Sequence, residues 1–315
     1  MAKAAKNNKS IILEGLEVFY NEKTDSLNLI STDPDLPKGD FFMKVKEGTP
    51  TDVALRSLFA EKTGNSKPLG NDLTSELPKE TVTLTDIELR KNYDRYTFPI
   101  GVAKDQKSVT FKINRGNFLT SVLISGVPGC GKSVITEQIL RKAEISGVPV
   151  LKLERPTTNR RPEDFTFQEK INAELKQFKT DLENIFFGDQ VRTEPTLVII
   201  DGLEHYLNFP EDTDDYYQVI RWQENVEELV KLLRLSRSKS VVFVMTVQRP
   251  THYLMERLTP CLTMNIVGQQ DTVSSAIVLG TNDAVKLRNG NFITKIGTEM
   301  KGMKAYHPAL KSDWV

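Results

Sequence analysis

The chain has 315 residues, and its 42 basic and 42 acidic side chains cancel to a formal charge of zero. That length allows one large domain or two modest ones, while the balanced charge supplies no overall field for a nucleic-acid partner, so any strand would be met by local basic residues. Two distant cysteines, Cys130 and Cys261, exclude a disulfide framework and fit a reducing compartment. No apolar run approaches the ~20 residues of a membrane span, so a cytoplasmic protein with no direct membrane span is expected.

In chain order, residues 1–10 carry Lys3, Lys6 and Lys9 with no apolar segment behind them, which reads as a basic, solvated flexible tail rather than a secretory signal. Residues 11–47 read as β structure, with Ile11–Tyr20, Ser26–Ser31 and Asp40–Lys46 separated by polar turns. Thr49 and Pro50 then open a helical pattern through Val53, Ala54, Leu55, Leu58 and Phe59 that Gly64 closes. Residues 64–80 are rich in Gly, Asn, Ser, Pro and Lys and read as a loop. Residues 11–92 therefore form a small β-rich N-terminal module with no recognisable catalytic frame, and docking or assembly is its default role.

From about Tyr93 the pattern changes, setting a second domain over 93–315. Phe98–Val102 and Ser108–Ile113 read as a hairpin. A short apolar run, Ser121–Ser125, then leads into Gly126-Val127-Pro128-Gly129-Cys130-Gly131-Lys132-Ser133, followed by a helix-period segment that Gly147 closes. Strand, glycine-rich turn ending in Gly-Lys-Ser, helix: this is the context in which the pattern is a P-loop. The glycines let the backbone wrap so that N–H groups face phosphates, and the helix N-terminus adds partial positive charge. Residues Gly126 to Val134 form the expected nucleotide-binding loop. Lys132 would reach the β- and γ-phosphates and the hydroxyl of Ser133 would hold Mg²⁺, so ATP and Mg²⁺ are the implied ligands. Cys130 within the loop reads as a small filler, or as an oxidation-sensitive thiol if the helix N-terminus lowers its pKa.

Val148–Leu153 is the next strand, Arg155–Arg161 a polar loop, and Pro162–Phe187 a long helix whose apolar stripe reads as core. Thr196–Ile200 is a run of branched apolar residues that fits a strand buried on both faces, and Asp201 at its end stands where P-loop proteins place a Mg²⁺-supporting carboxylate. Glu211–Arg237 reads as a long amphipathic helix and Ser240–Val247 as another buried strand, ending in Thr246-Val247-Gln248-Arg249-Pro250. Cys261–Val267 is a further strand, Asp271–Leu279 a short helix and Gly290–Ile296 a last strand. Strands and helices alternate, predicting an α/β fold: a RecA-like P-loop NTPase core with a mostly parallel sheet, preceded by the β-rich module.

The core from Phe98 to Gly297 resembles the motor domain of the FtsK/SpoIIIE-type DNA translocases of the FtsK–HerA superfamily. The resemblance rests on the lead-in Pro99–Lys104 before the P-loop, on Arg234 to Arg237 followed by Val241–Met245 and Gln248-Arg249-Pro250, and on Asp271–Gly290. It implies a homo-oligomeric, hexameric ring that hydrolyses ATP and moves double-stranded DNA, as compact coupling ATPases of conjugative or mobile elements do, with a membrane pore or a relaxase as further partners. It also implies Asp201 on the metal, Gln248 as sensor, and Arg237 or Arg249 acting across a subunit boundary. The chain departs from the family at Gly202, where a catalytic Glu usually follows the Asp; the nearest acid, Glu204, is the candidate base. Thr246 is displaced by one position from the family's Thr-Gln pair, and the arginine that the family often carries on the next strand is absent around Met264. Arg160, Arg161, Lys286 and Arg288 are the candidate DNA-facing residues. Two other readings stand beside the DNA motor: a secretion-type ATPase acting on protein, and a nucleotide-binding scaffold that hydrolyses little.

Overall fold

The structure, a computed structural model, describes residues 82–113, 121–154, 165–188, 194–210 and 215–308, with residues 77–78 and the strands 9–13, 16–21, 26–31 and 43–44. The helix expected after Pro50 and the loop with Arg160 and Arg161 lie outside the described residues, as does most of 64–80. In the N-terminal region, β1 (Lys9–Leu13), β2 (Leu16–Asn21), β3 (Ser26–Ser31) and β4 (Met43–Lys44) form an antiparallel sheet in sequential order. The single stretch read over Ile11–Tyr20 is thus two strands that pair antiparallel.

Among the described residues the main sheet has nine strands. Its parallel part contains β8 (Ser121–Ser125), β9 (Val150–Leu153), β10 (Thr196–Ile200), β11 (Val241–Val247) and β12 (Met264–Val267), in the spatial order β9-β10-β11-β8-β12. The chain leaves β8 for the far edge, fills back through β10 to β11, and then crosses to the other side of β8. β11 therefore separates the P-loop strand from the Asp201 strand, as expected of a RecA-like core. Ligands of open α/β sheets bind at the carboxyl ends of strands where the order reverses, and here that point is the end of β8.

The sheet continues past β12 as an antiparallel half: β13 (Asn291–Ile296), β14 (Glu299–Ala305), β6 (Thr97–Val102) and β7 (Ser108–Lys112). The hairpin read before the P-loop is present as β6 and β7, at the edge of this half. Gly290–Ile296 is not the last strand, because β14 follows it through a tight turn, and β15 (His307–Pro308) then pairs with β5 (Thr83–Leu84).

Burial on both faces explains the uninterrupted apolar runs. Leu197 and Ile199 face one layer and Val198 and Ile200 the other, since side chains alternate along a strand. On one face α2 (Lys132–Ser146) sets Ile135, Ile139 and Ala143 against Val122, Ile124, Val244 and the antiparallel half's Phe98, Phe111 and Phe292. On the other face α3 (Phe165–Phe187) contributes Phe178 and Leu182, and α5 (Tyr216–Ser236) contributes Val226, Leu229 and Leu233, against Phe243 and Met245. The reading of the stripe on α3 as core therefore holds for its described side chains. The segment read as a strand over Cys261–Val267 opens with a 3₁₀ turn, Thr259–Cys261, because Pro260 fits the first turn of a helix and donates nothing to a ladder.

A further helix, α1 (Asp86–Asn92), packs on the P-loop helix. Its start is a capping box: Thr85 accepts the N–H of Glu88, and Glu88 accepts the N–H of Thr85 at 2.8 Å. Leu84 and Leu89 bury against Val102 and Tyr306. Two cations of α2 tie this segment down. Arg141 pairs with Asp86, and Lys142, only 2% exposed, donates to the carbonyls of Leu89 at 3.0 Å and Tyr93 at 3.1 Å. Burial lowers the pKa of Lys142, and the nearby Asp94 opposes that shift. Lys142→Met keeps the volume but strands two carbonyls, so it should lower stability by about 1–3 kcal/mol in a chemical denaturation curve.

Candidate functional site

The cleft forms at the carboxyl ends of β8, β10 and β11. It has a volume of about 340 Å³ and is lined by Pro128, Gly129, Gly131, Lys132, Ser133, Val134, Asp201, Gly202, Thr246 and Gln248. Residues far apart in the chain thus meet because the strand order sets three strand ends side by side.

The loop is pinned on several sides. Val127 N–H donates to the Gln269 carbonyl at 2.8 Å, Gly126 N–H to that of Val247 at 3.2 Å, and Gly290 N–H to that of Cys130 at 2.9 Å. Gly131 takes φ of 107° as the N-cap of α2, a conformation that side chains avoid, so the glycine before the lysine is required by the turn into the helix. The first residues of α2, Lys132, Ser133 and Val134, line the cleft, so the partial positive charge of the helix N-terminus would stabilise an anion there. Lys132 folds over the loop, and its ammonium donates to the carbonyls of Gly126 at 2.6 Å and Val127 at 3.1 Å.

Cys130 points away from this surface. It is fully buried, and a methyl group built on Gly268 would lie 2.8 Å from its sulfur and 2.9 Å from the ring of Phe292. Burial raises its thiol pKa, with Lys132 opposing in part, so the side chain is the packed filler and not an activated thiol.

Asp201 follows β10, and its position is fixed by a neighbour on β11. The Thr246 hydroxyl donates to Asp201 Oδ1 at 2.7 Å and accepts the N–H of Gly202 at 2.8 Å. This side chain is the residue that sequence reasoning missed. The available signal is the strand period: Thr246 and Gln248 lie two apart and share a face, while Val247 between them is buried in the core.

The other expected site residues fall elsewhere. Glu204, on the short helix α4 (Leu203–Tyr206), is not in the cleft lining; its Oε1 accepts the N–H of Gln248 and, at 3.3 Å, that of Arg249. Arg249 is exposed beside Gln248. Arg237 caps the C-terminal end of α5, just before β11 begins, so it lies near the start of that strand, whereas the cleft forms at its far end. Lys286 and Arg288 are exposed near the turn into β13. Gly202 adopts φ of 96°, so the position directly after Asp201 has a backbone that favours glycine.

The cleft offers two oxygen donors suited to a hard divalent cation, the Ser133 hydroxyl and the Asp201 carboxylate, and this pairing fits Mg²⁺. Among the described residues no group of three or more His, Cys, Asp or Glu side chains stands together as a metal cluster. No described helix is long and apolar enough to cross a membrane.

No family model and no curated protein matches the chain. Solved structures do match in fold. The pCW3 conjugation coupling protein TcpA, in its monomer form with ATPγS, aligns with a TM-score of 0.56 at 17% identity, over 95% of this chain and 88% of that one. The cytoplasmic domain of the Type VII secretion ATPase EccC from Thermomonospora curvata aligns at 0.51 and 17% identity, over 76% of this chain and 31% of that one. ATPases 2 and 3 of the same EccC, in complex with a signal sequence peptide, align at 0.51 and 13% identity, over 94% of this chain and 54% of that one. The chain thus spans most of the coupling protein but about half or less of the EccC structures, and it shares the fold of these P-loop ATPases.

Two tests follow from the geometry. Iodoacetamide at neutral pH should modify the half-buried Cys261 at least ~100-fold faster than Cys130, as peptide mass mapping would show. Gly202→Glu should lower stability by about 1–3 kcal/mol in thermal or chemical unfolding, because the strained backbone, and not a missing carboxylate alone, decides that position.

Proposed function

We propose that the chain is an ATP-hydrolysing motor of the FtsK–HerA type that binds double-stranded DNA and moves it as a ring oligomer, as in conjugative transfer or DNA segregation. The observation that carries this reading is the convergence of Lys132, Ser133, Asp201, Thr246 and Gln248 on one cleft at the switch point of the sheet. The fold likeness to a conjugation coupling protein along nearly the whole chain supports the DNA assignment.

In this reading the N–H groups at the start of α2 bind the phosphates, and Lys132 exchanges its loop carbonyls for phosphate oxygens. Ser133 and Asp201 would hold Mg²⁺, which when bound neutralises charge on the phosphates. The Thr246 hydroxyl, by donating to Oδ1, orients the Asp201 carboxylate. Gln248 faces the same cleft and would orient the attacking water. Arg249, exposed next to it, or Arg237, near the start of β11 and so far from the cleft, would act across a subunit boundary. The N-terminal module and the exposed Lys286 and Arg288 would meet partners or DNA.

A second reading, a nucleotide-binding scaffold that turns over slowly, is favoured by one observation. Asp201 is the sole carboxylate among the described cleft-lining residues, since Glu204 is engaged by the backbone of the next strand's turn. ATP turnover with and without duplex DNA separates the readings. DNA should raise a rate that Lys132→Ala reduces by at least ~100-fold, and DNA affinity should fall steeply with salt. Nucleotide binding with no Lys132-dependent turnover would overturn the motor and leave the scaffold. Turnover that ignores DNA would point to a protein substrate.

A further inference from the structure

Glu204 lies two residues beyond Gly202, on the first turn of α4, and one of its oxygens collects two successive backbone N–H groups, those of Gln248 and Arg249. Successive N–H groups converging on one anionic oxygen form a nest, and hydrogen bonds to an ionised acceptor are roughly twice as strong as neutral ones. The nest belongs to the turn that leaves β11, and Gln248 in that turn lines the cleft. The segment after β10 thus grips the end of β11 and the turn that follows it at two points: Thr246 to Asp201 and Gly202, and Gln248 and Arg249 to Glu204.

We infer that Glu204 is a positioning residue that holds Gln248 against the cleft, and that it is not the general base of hydrolysis. This inference rests on the ATPase reading above. A general base must bring its oxygen within hydrogen-bond reach of the water it activates. The oxygen described here is committed to the turn, and the side chain stands outside the cleft lining. Because the second N–H belongs to Arg249, the same clasp sets the direction in which that exposed arginine leaves the turn. Loss of the clasp therefore affects Gln248 and Arg249 together.

The test compares Glu204→Gln, Glu204→Ala, Gln248→Ala and the double variant Glu204→Ala/Gln248→Ala in the full chain, with Lys132→Ala as the blank. The glutamine side chain keeps an accepting oxygen. Glu204→Gln should therefore hold kcat within about threefold, while Glu204→Ala lowers kcat about tenfold with little change in KM for ATP. In the Gln248→Ala background, Glu204→Ala should cost about threefold, well short of its tenfold effect in the wild type, because two residues acting through one position are not additive and only the share carried by Arg249 remains. Glu204→Gln as inactive as Glu204→Ala, or losses that multiply in the double variant, would overturn the inference. Amide hydrogen exchange at Gln248 and Arg249 gives a readout that needs no turnover. Protection should survive in Glu204→Gln and fall in Glu204→Ala, and unchanged protection in Glu204→Ala would overturn the clasp. If the wild-type chain shows no Lys132-dependent turnover, the ATPase reading fails by itself and the exchange data still decide the role of Glu204.

Discussion

The hydrogen bond from Thr246 to Asp201 joins the ends of two parallel strands at the place where the polypeptide stops being a ladder and becomes a cleft. Inside the sheet, β10 and β11 are held by regular backbone pairing from Thr196 with Val241 to Ile200 with Met245. Past that point the chains diverge, one into α4 and the other into the turn with Gln248. The single hydroxyl both donates to the carboxylate and accepts from Gly202, so it replaces the next rung of the ladder and aims an acidic side chain at the same time. Remove the strand order and this contact disappears, because Asp201 and Thr246 meet only where β11 separates β10 from β8.

Much of that arrangement is legible in the sequence. Glycine spacing before Lys132 and the apolar runs at Leu197–Ile200 and Val241–Met245 have physical causes that act locally: a turn that must present N–H groups, and strands buried on both faces. The Asp at the end of one run and the polar tip of the other can be assigned from those causes. Thr246 is harder to find, because its role appears only when a one-residue offset is translated into strand faces. Glu204 is harder still, since its carboxylate is paired with backbone groups, which leave no trace in residue identity.

The antiparallel half is the part that local pattern conceals. In β14, Glu299-Met300-Lys301-Gly302-Met303-Lys304-Ala305, a glycine and two lysines break the apolar alternation, yet Met303 and Ala305 are buried. Its place is secured by pairing with β13 on one side and β6 on the other, contacts whose partners lie nearby in the chain in one case and far back, before the P-loop, in the other. The same holds for α1. Its capping box can be read from Thr85 and Glu88, but its attachment to α2 depends on Arg141 and Lys142, which on sequence alone read as solvated helix charges.

The pinning of the P-loop has a mechanical consequence. The carbonyl of Cys130 accepts the N–H of Gly290, and the carbonyl of Gly290 accepts the N–H of Ala305, so two hydrogen bonds in series link the phosphate loop to the final long strand of the sheet. Beneath them, the Cys130 sulfur and the Phe292 ring crowd so closely that no methyl group fits at Gly268. A stiff floor of this kind transmits force instead of absorbing it. The β13–β14 hairpin and the P-loop backbone therefore share one short chain of hydrogen bonds, and any displacement of either end would have to break or carry it, although the two segments lie far apart in the chain.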